Sequence, residues 1–150
     1  MRNQTFSKLL WRDKQLGAAI LAALIVWAGM LIWFPPQRTV WPTENLERFL
    51  LLVLAYPIIE EVVFRGLLQG WLLTFKWGQK RWWLLSGANL ITTAIFAAMH
   101  GFQHAPIAAA MVIFPSLVFG YFRDRDGNIG RAIFLHSFYN AGYFLIYGVG

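Results

Sequence analysis

The sequence predicts an all-α fold, a polytopic transmembrane helical bundle of about five spans. Three observations support this prediction. Hydrophobic residues make up 58% of the 150 positions and charged residues only 13%, about half the charged share of a soluble domain. Three segments, residues 15–37, 82–122 and 132–150, contain no charged residue. Seven of the eight tryptophans lie near the ends of predicted spans, where interfacial anchors are found. The lipid bilayer is therefore the expected solvent.

The first two predicted helices differ in character. The first covers residues 16–34, which are apolar throughout and end at Pro35 and Pro36. Its apolar run is longer than that of a signal peptide and no small-residue cleavage pattern follows it, so we expect a retained anchor helix. The second covers residues 49–75 and is the one span interrupted by charge. Because Pro57 removes a backbone donor there, a kink or local unwinding is expected.

Three further spans complete the predicted bundle, at residues 82–100, about 106–122 and about 131–149. The connections between them are short, which leaves no room for a separate soluble domain. Ten Lys and Arg residues flank the spans on one side and two flank them on the other. This asymmetry places the N-terminus in the cytoplasm. We therefore expect a multi-pass protein of the plasma membrane, the inner membrane of a bacterial cell.

Composition also excludes several classes of function. There is no cysteine, so disulfides, thiolate metal sites and a cysteine nucleophile are ruled out. The formal net charge of +6 would suggest nucleic acid in a soluble protein. Here the basic residues lie in short loops between apolar segments, where membrane topology places them. The lipid bilayer, and no nucleic acid, is the expected partner of these charges.

Three charged residues, Glu60, Glu61 and Arg65, interrupt the second span, where an uncompensated charge costs about 3 kcal/mol. Glu61 and Arg65 are four residues apart, so they lie on one helix face and can form an ion pair. Glu60 lies about 100° around the helix from Glu61, and one arginine cannot easily serve both carboxylates. Glu60 is therefore the candidate general base. The alternative is a protonated glutamate that only packs between helices.

Two histidines and an asparagine lie on other predicted spans. His100 ends the third span, four residues after Phe96 and on the same face. His136 lies in the fifth span with Asn140 one turn later, again on one face. Taken singly, such residues are more often interfacial than catalytic. Together with Glu60 they place costly polar groups on three helices, which predicts a shared site.

Depth in the membrane raises one difficulty for that site. At about 1.5 Å per residue, Glu60 and His100 come out at comparable depth, whereas His136 lies much nearer the cytoplasmic end of its span. Straight, perpendicular helices would not bring His136 to the other two residues. Helix tilt, the kink at Pro57 or a dip of residues 127–130 into the bundle is needed to close the gap.

Three short motifs follow one another on successive predicted helices. Residues 60–65 match E-E-x-x-x-R, residues 96–100 match F-x-x-x-H and residues 136–140 match H-x-x-x-N. In this order they resemble the CPBP family, the CAAX-protease and bacteriocin-processing enzymes also called the ABI family. The resemblance covers residues 60–140. The chain is shorter than the eight-span members and is similar in size to the short bacterial myxosortase-like members.

The resemblance implies a glutamic-type intramembrane endopeptidase that needs no metal or other cofactor. Glu60 would be the general base that takes a proton from water, and His100 would hold the same water. His136 and Asn140 would donate hydrogen bonds to the developing oxyanion. The supporting residues would be Glu61, Arg65 and Phe96.

The resemblance also implies how the chain is organised and what it acts on. Residues 1–150 would form a single membrane-embedded protease domain, with an N-terminal arm and anchor helix at 1–48 and the catalytic core at 49–150. The substrate would be a membrane-associated protein or peptide, cleaved near its C-terminus or in a membrane-proximal segment. A prenylated protein, a bacteriocin precursor and a C-terminal sorting signal all remain open as that substrate.

Three other interpretations of the polar cluster are open. Glu60, His100 and His136 could supply a zinc site with water as the fourth ligand, although no H-E-x-x-H helix is present. A non-catalytic immunity or scaffold protein would use the cluster only to hold the bundle together or to bind a partner. A transporter would use it as a proton relay, although the spans show no inverted repeat. His104, between the third and fourth spans, is interpreted as an interfacial residue.

Overall fold

The computed structural model describes residues 13–36, 43–102 and 110–149. Three expectations fall outside these ranges: the environment of His104, the start of the fourth span near residue 106, and the placement of most of the basic residues before the first helix. Within the described residues the chain is mostly helical, which confirms the all-α prediction, and it adds one short two-stranded hairpin.

The first helix, α1, spans Lys14–Trp33 and matches the predicted anchor. Asp13 caps it, because its carboxylate accepts hydrogen bonds from the backbone N–H groups of Gln15 and Leu16 at 3.1 and 3.2 Å. Among the described residues, α1 alone is long and apolar enough to cross a bilayer by length and hydropathy. The count of five spans and the cytoplasmic N-terminus therefore stay predictions.

The second helix, α2, runs from residue 46 to residue 72 and changes its winding along the way. Its segments in order are α-helical Leu46–Leu50, π-helical Leu51–Ala55, α-helical Tyr56–Glu61, π-helical Val62–Leu68 and α-helical Gln69–Leu72. The unwinding expected near Pro57 is thus present as a π turn that ends just before it. Such π segments are rare and occur frequently at functional sites.

The region between the second and third predicted spans differs from expectation. A short helix α3 covers Lys76–Gln79, and a hairpin pairs strand β1, Arg81–Trp82, with strand β2, Leu85–Ser86. The predicted start of the third span at Trp82 is therefore wrong. Helix α4 covers Gly87–Gly101 instead, because the hydroxyl of Ser86 accepts from the Asn89 N–H at 3.0 Å and caps it there.

Two further helices follow in residues 113–147. Helix α5 covers Ile113–Asp126 and extends past the predicted end at residue 122, stopping at Gly127, whose φ of 69° gives a left-handed cap. Helix α6 covers Gly130–Tyr147 and contacts α1, α2 and α5. The central position of α6 brings its polar residues to the other helices.

Helix α1 is packed into this bundle and does not stand apart from it. A buried apolar cluster joins α1 to α5 and α6 through Leu16, Ala19, Phe119, Phe122, Ala132 and Leu135. Farther along α6, the ring of Trp27 lies against Gly142, where an added Cβ would overlap the indole. At one end, Asp13 pairs with Arg125 at 2.6 Å, and Arg131 pairs with Asp126 at 2.8 Å. The hydrogen bond to Arg125 lowers the pKa of Asp13, although partial burial opposes it.

Candidate active site

The predicted ion pair of α2 is present and fully buried. Glu61 Oε1 lies 3.2 Å from Arg65 Nη1, and both side chains have no exposed surface. The Arg65 guanidinium is held on its other side by Ser116 of α5, whose backbone oxygen and hydroxyl accept from Nη2 at 3.1 and 2.7 Å. A buried charge pair needs such additional bonds to offset its desolvation.

His136 bridges the two adjacent glutamates. Its Nδ1 lies 2.8 Å from Glu61 Oε1, and its Nε2 lies 3.6 Å from Glu60 Oε2. The residues that straight helices were expected to keep apart lie close together, since α6 packs against the 51–61 part of α2. The Glu60 side chain is 31% exposed and that of Glu61 is fully buried, so the two carboxylates have different surroundings.

The contact with Glu61 orients the His136 imidazole. His136 Nδ1 and Glu61 Oε1 are within hydrogen-bond distance at 2.8 Å, and this contact holds the ring with Nδ1 toward the buried carboxylate. The ring's Nε2 then faces Glu60. Phe119 stacks on the imidazole with ring centroids 4.9 Å apart and planes 19° apart, which further fixes the ring plane.

His100 and Phe96 lie together on α4, as their spacing predicts. His100 Nδ1 lies 3.0 Å from the Phe96 carbonyl, which can only accept, so Nδ1 is the protonated nitrogen. The Phe96 ring is 4.3 Å from the His100 ring and 6.2 Å from the His136 ring, centroid to centroid. The Arg65 guanidinium lies 4.8 Å from the same centroid. The Phe96 ring thus lies close to both histidines and to the guanidinium of the buried ion pair.

Asn140 makes a contact with the backbone of another helix. Its Nδ2 donates to the carbonyl of Leu52, in the first π segment of α2, at 2.9 Å. One turn earlier on α6, His136 contacts Glu60 and Glu61. Helix α6 is therefore fixed to α2 at two neighbouring levels, by a side chain–backbone bond and by the histidine.

A buried polar network continues from Arg65, and sequence reasoning missed it. Ser116 donates to Thr93 at 2.9 Å, and Thr93 donates to Asn89 at 3.2 Å. A second branch runs from Gln69 to the Gly120 carbonyl at 3.0 Å and to Asp124 at 2.7 Å. Spacing in the sequence would have shown it: polar residues recur every four positions at 61, 65 and 69 and at 89 and 93, and lie eight positions apart at 116 and 124.

Glu60 borders an apolar groove between α2 and α4. The groove has a volume of about 490 Å³, and its lining consists of Glu60 and seven apolar side chains, those of Ile59, Val63, Phe64, Leu67, Leu68, Ile95 and Met99. Ile59 and Leu67 are 57% and 67% exposed, so the groove opens at the outer surface of the helix pair.

The residues proposed for a zinc site are not assembled as a ligand set. Among residues 13–36, 43–102 and 110–149, no group of three His, Cys, Asp or Glu side chains is arranged to hold a metal ion. His136 approaches both glutamates, whereas the described ring contact of His100 is with Phe96.

Comparison with known families decides the class of protein. A family model described as type II CAAX prenyl endopeptidase Rce1-like matches residues 41–142. The chain belongs to this family. The match includes all three motifs and leaves helix α1 outside it. No curated protein and no solved structure matches the chain. The Rce1-like family is one of membrane-embedded CAAX-type proteases, which agrees with the apolar composition and with the candidate span at α1.

Proposed function

We propose that this Rce1-like protein is an intramembrane endopeptidase that uses Glu60 and two histidines to activate water, without a metal. One observation carries the proposal: of two adjacent glutamates, one is buried with Arg65 while the other is partly exposed beside an apolar groove. Only the second is placed to meet a substrate. His136 connects the two.

Glu60 is the proposed general base. It takes a proton from a water molecule while the water oxygen attacks the carbonyl carbon of the scissile peptide bond, giving a tetrahedral intermediate. The proton then passes to the leaving nitrogen as the C–N bond breaks, so the products are a carboxylic acid and an amine. No electrons are exchanged with any other group.

His136 is the proposed carrier of that proton. Its Nδ1 is held by Glu61 and its Nε2 points toward Glu60, the arrangement in which a carboxylate orients an imidazole and stabilises the imidazolium. Arg65 pairs with Glu61 at 3.2 Å and holds it in place for this task. When protonated, His136 also supplies a donor toward the oxyanion. His100, with Nδ1 on the Phe96 carbonyl, is proposed to hold the attacking water through Nε2.

The groove suggests the chemistry of the substrate. Its seven apolar side chains fit an apolar group attached close to the scissile bond, and Glu60 lies among them. The family description names a prenyl endopeptidase. We therefore propose a prenylated C-terminal peptide as the substrate to test first, with a bacteriocin precursor or a C-terminal sorting signal as other outcomes. We also propose a multi-pass location in the plasma membrane with the N-terminus in the cytoplasm.

The test is cleavage of an internally quenched, farnesylated CAAX peptide by the purified protein in proteoliposomes. Glu60→Gln should lower kcat at least a hundredfold, since a positioned general base contributes about 10²- to 10⁴-fold. Its thermal unfolding should stay close to that of the parent. Glu47→Gln is the matched control, because Glu47 lies exposed in the first turn of the same helix.

Two results would overturn the catalytic assignment. Cleavage by Glu60→Gln at the parental rate would remove Glu60 as the base. If Glu60→Gln lowers stability but leaves turnover per folded molecule unchanged, the polar cluster has only a structural role and holds the helices together. The unprenylated peptide and a sorting-signal peptide, assayed in parallel, separate failure of the chemistry from a wrong choice of substrate.

A further inference from the structure

The contact between Asn140 and Leu52 has a specific cause in the backbone of α2. In a π turn the carbonyl of residue i accepts from the N–H of residue i+5. For Leu52 that residue is Pro57, which has no N–H. The N–H of Tyr56, four residues after Leu52, donates to Leu51 instead. Within the described helix α2, the Leu52 carbonyl is therefore left without its backbone donor.

Asn140 supplies the missing donor. Its Nδ2 lies 2.9 Å from the Leu52 oxygen, and the bond joins α6 to α2 five residues before Pro57. A backbone carbonyl left unpaired away from water is costly, so nearly all such groups find a partner. The bond therefore stabilises the π turn as well as the contact between the two helices.

This bond also sets the geometry of the charged residues. Glu60 lies three residues after Pro57, within the α-helical segment Tyr56–Glu61 that follows the π turn. His136 lies one turn before Asn140 on α6 and reaches Glu60 and Glu61. Fixing Asn140 to Leu52 fixes the height and rotation of α6 against that segment. A loosened bond would let the distance of 3.6 Å between His136 and Glu60 change.

We propose that Asn140 is a positioning residue, which replaces the backbone donor that Pro57 removes and so holds His136 against Glu60. It then acts through the Leu52 carbonyl and not by contact with the oxyanion. The consequence for turnover rests on the proposed function, whereas the bond itself and its effect on folding do not.

The distinguishing experiment restores the backbone donor. Pro57→Ala gives position 57 an N–H, so the Leu52 carbonyl gains a donor from its own helix and Asn140 becomes dispensable. In the parent, Asn140→Ala should lower the folding equilibrium constant about tenfold, measured by unfolding in detergent micelles. In the Pro57→Ala background the same change should lower it less than threefold. Pro57→Ser restores the same N–H and provides a second background.

Turnover of the farnesylated peptide gives the second readout. Asn140→Ala should lower kcat tenfold or more when position 57 is proline, and should leave kcat almost unchanged in the Pro57→Ala background. KM should change little in both backgrounds. Loss of an oxyanion donor would lower kcat by the same factor in both backgrounds, because its contact does not depend on residue 57. Equal losses of turnover, or equal losses of folding in both backgrounds, would overturn the proposal.

Asn89 is the matched control for both readouts. It is also an asparagine that donates through Nδ2 to a backbone carbonyl of another helix, that of Leu117 at 3.0 Å. Because Pro57 has no part in that bond, the cost of Asn89→Ala must be the same in both backgrounds. If neither the parent nor any variant cleaves the peptide, the proposed function is wrong. The unfolding measurements then still decide whether Asn140 replaces the missing backbone donor.

Discussion

Replacing Glu61 by glutamine should destabilise this protein far more than the same replacement at Glu60. The side chains of Glu61 and Arg65 are both fully buried and lie 3.2 Å apart. Removing one charge of a buried pair leaves the other uncompensated, at a cost of about 3–5 kcal/mol. Arg65 keeps its two bonds to Ser116 in the variant. We therefore expect a loss near the lower end, about 3 kcal/mol.

Glu60→Gln is the internal control for this prediction. It makes the same chemical change one position earlier, on a side chain that is 31% exposed. The distance of 3.6 Å to His136 Nε2 is longer than a hydrogen bond. A partly exposed pair of this kind contributes at most about 1 kcal/mol. Unfolding of both variants in mixed dodecyl maltoside and SDS micelles, followed by tryptophan fluorescence, measures the difference.

A double variant tests the electrostatic reason. Glu61→Gln combined with Arg65→Met removes both charges, with a small loss of side-chain volume at residue 65. Because no uncompensated charge then remains buried, the double variant should regain at least half of the stability that Glu61→Gln loses. If Glu61→Gln unfolds like the parent, or if the double variant is no more stable than the single one, the reasoning about an uncompensated buried charge is wrong.

Three further predictions concern packing, metal and pH. Gly120→Ala should lower the free energy of unfolding by about 1–3 kcal/mol, because the added Cβ would overlap the Asn89 amide. Gly17→Ala, where nothing lies within 4 Å of the added Cβ, should be neutral or slightly stabilising, and chemical unfolding of both variants measures the difference. Dialysis against EDTA and o-phenanthroline should leave peptide cleavage unchanged, and a loss that zinc restores would favour the zinc site. Arg125 lowers the pKa of Asp13 below its ordinary value of 3.8. The ionised carboxylate therefore stabilises the fold at pH values above 3.8, and this contribution is lost as the pH falls below that value. Asp13→Asn should thus be less stable than the parent at pH 7 and approach it at pH 3, and an equal gap at both values would contradict this.

Local spacing was sufficient where a feature depends on one helix. The pairing of Glu61 with Arg65 follows from four-residue spacing and from the cost of an unpaired charge in an apolar segment. Helix α1 follows from an uninterrupted apolar run bounded by prolines. The close placement of Phe96 and His100 follows in the same way. In each case the interaction is set by helical periodicity, which the sequence displays directly.

Features that depend on the π segments of α2 could not be predicted from the spacing of residues alone. Straight, regular helices were expected to keep His136 away from Glu60, whereas α6 packs against the 51–61 part of α2, where a π turn interrupts the α-helix. The bond from Asn140 to Leu52 depends on the same π turn. The hairpin at residues 81–86 was missed for another reason: Trp82 and Trp83 are apolar, and hydropathy alone does not distinguish an interfacial turn from the start of a span.

The adjacency of Glu60 and Glu61 ties stability and chemistry to one turn of α2. Neighbouring residues on a helix point about 100° apart, so one carboxylate can face the bundle interior while the next faces the groove. The interior carboxylate is fixed by Arg65 and orients His136, and the outer one is left available for a substrate. Glu61→Gln should therefore mainly lower stability, whereas Glu60→Gln should mainly lower turnover. A shift of register by one residue would carry at least one of the two carboxylates out of its present environment, which is why the backbone bond at Leu52 matters to the placement of both.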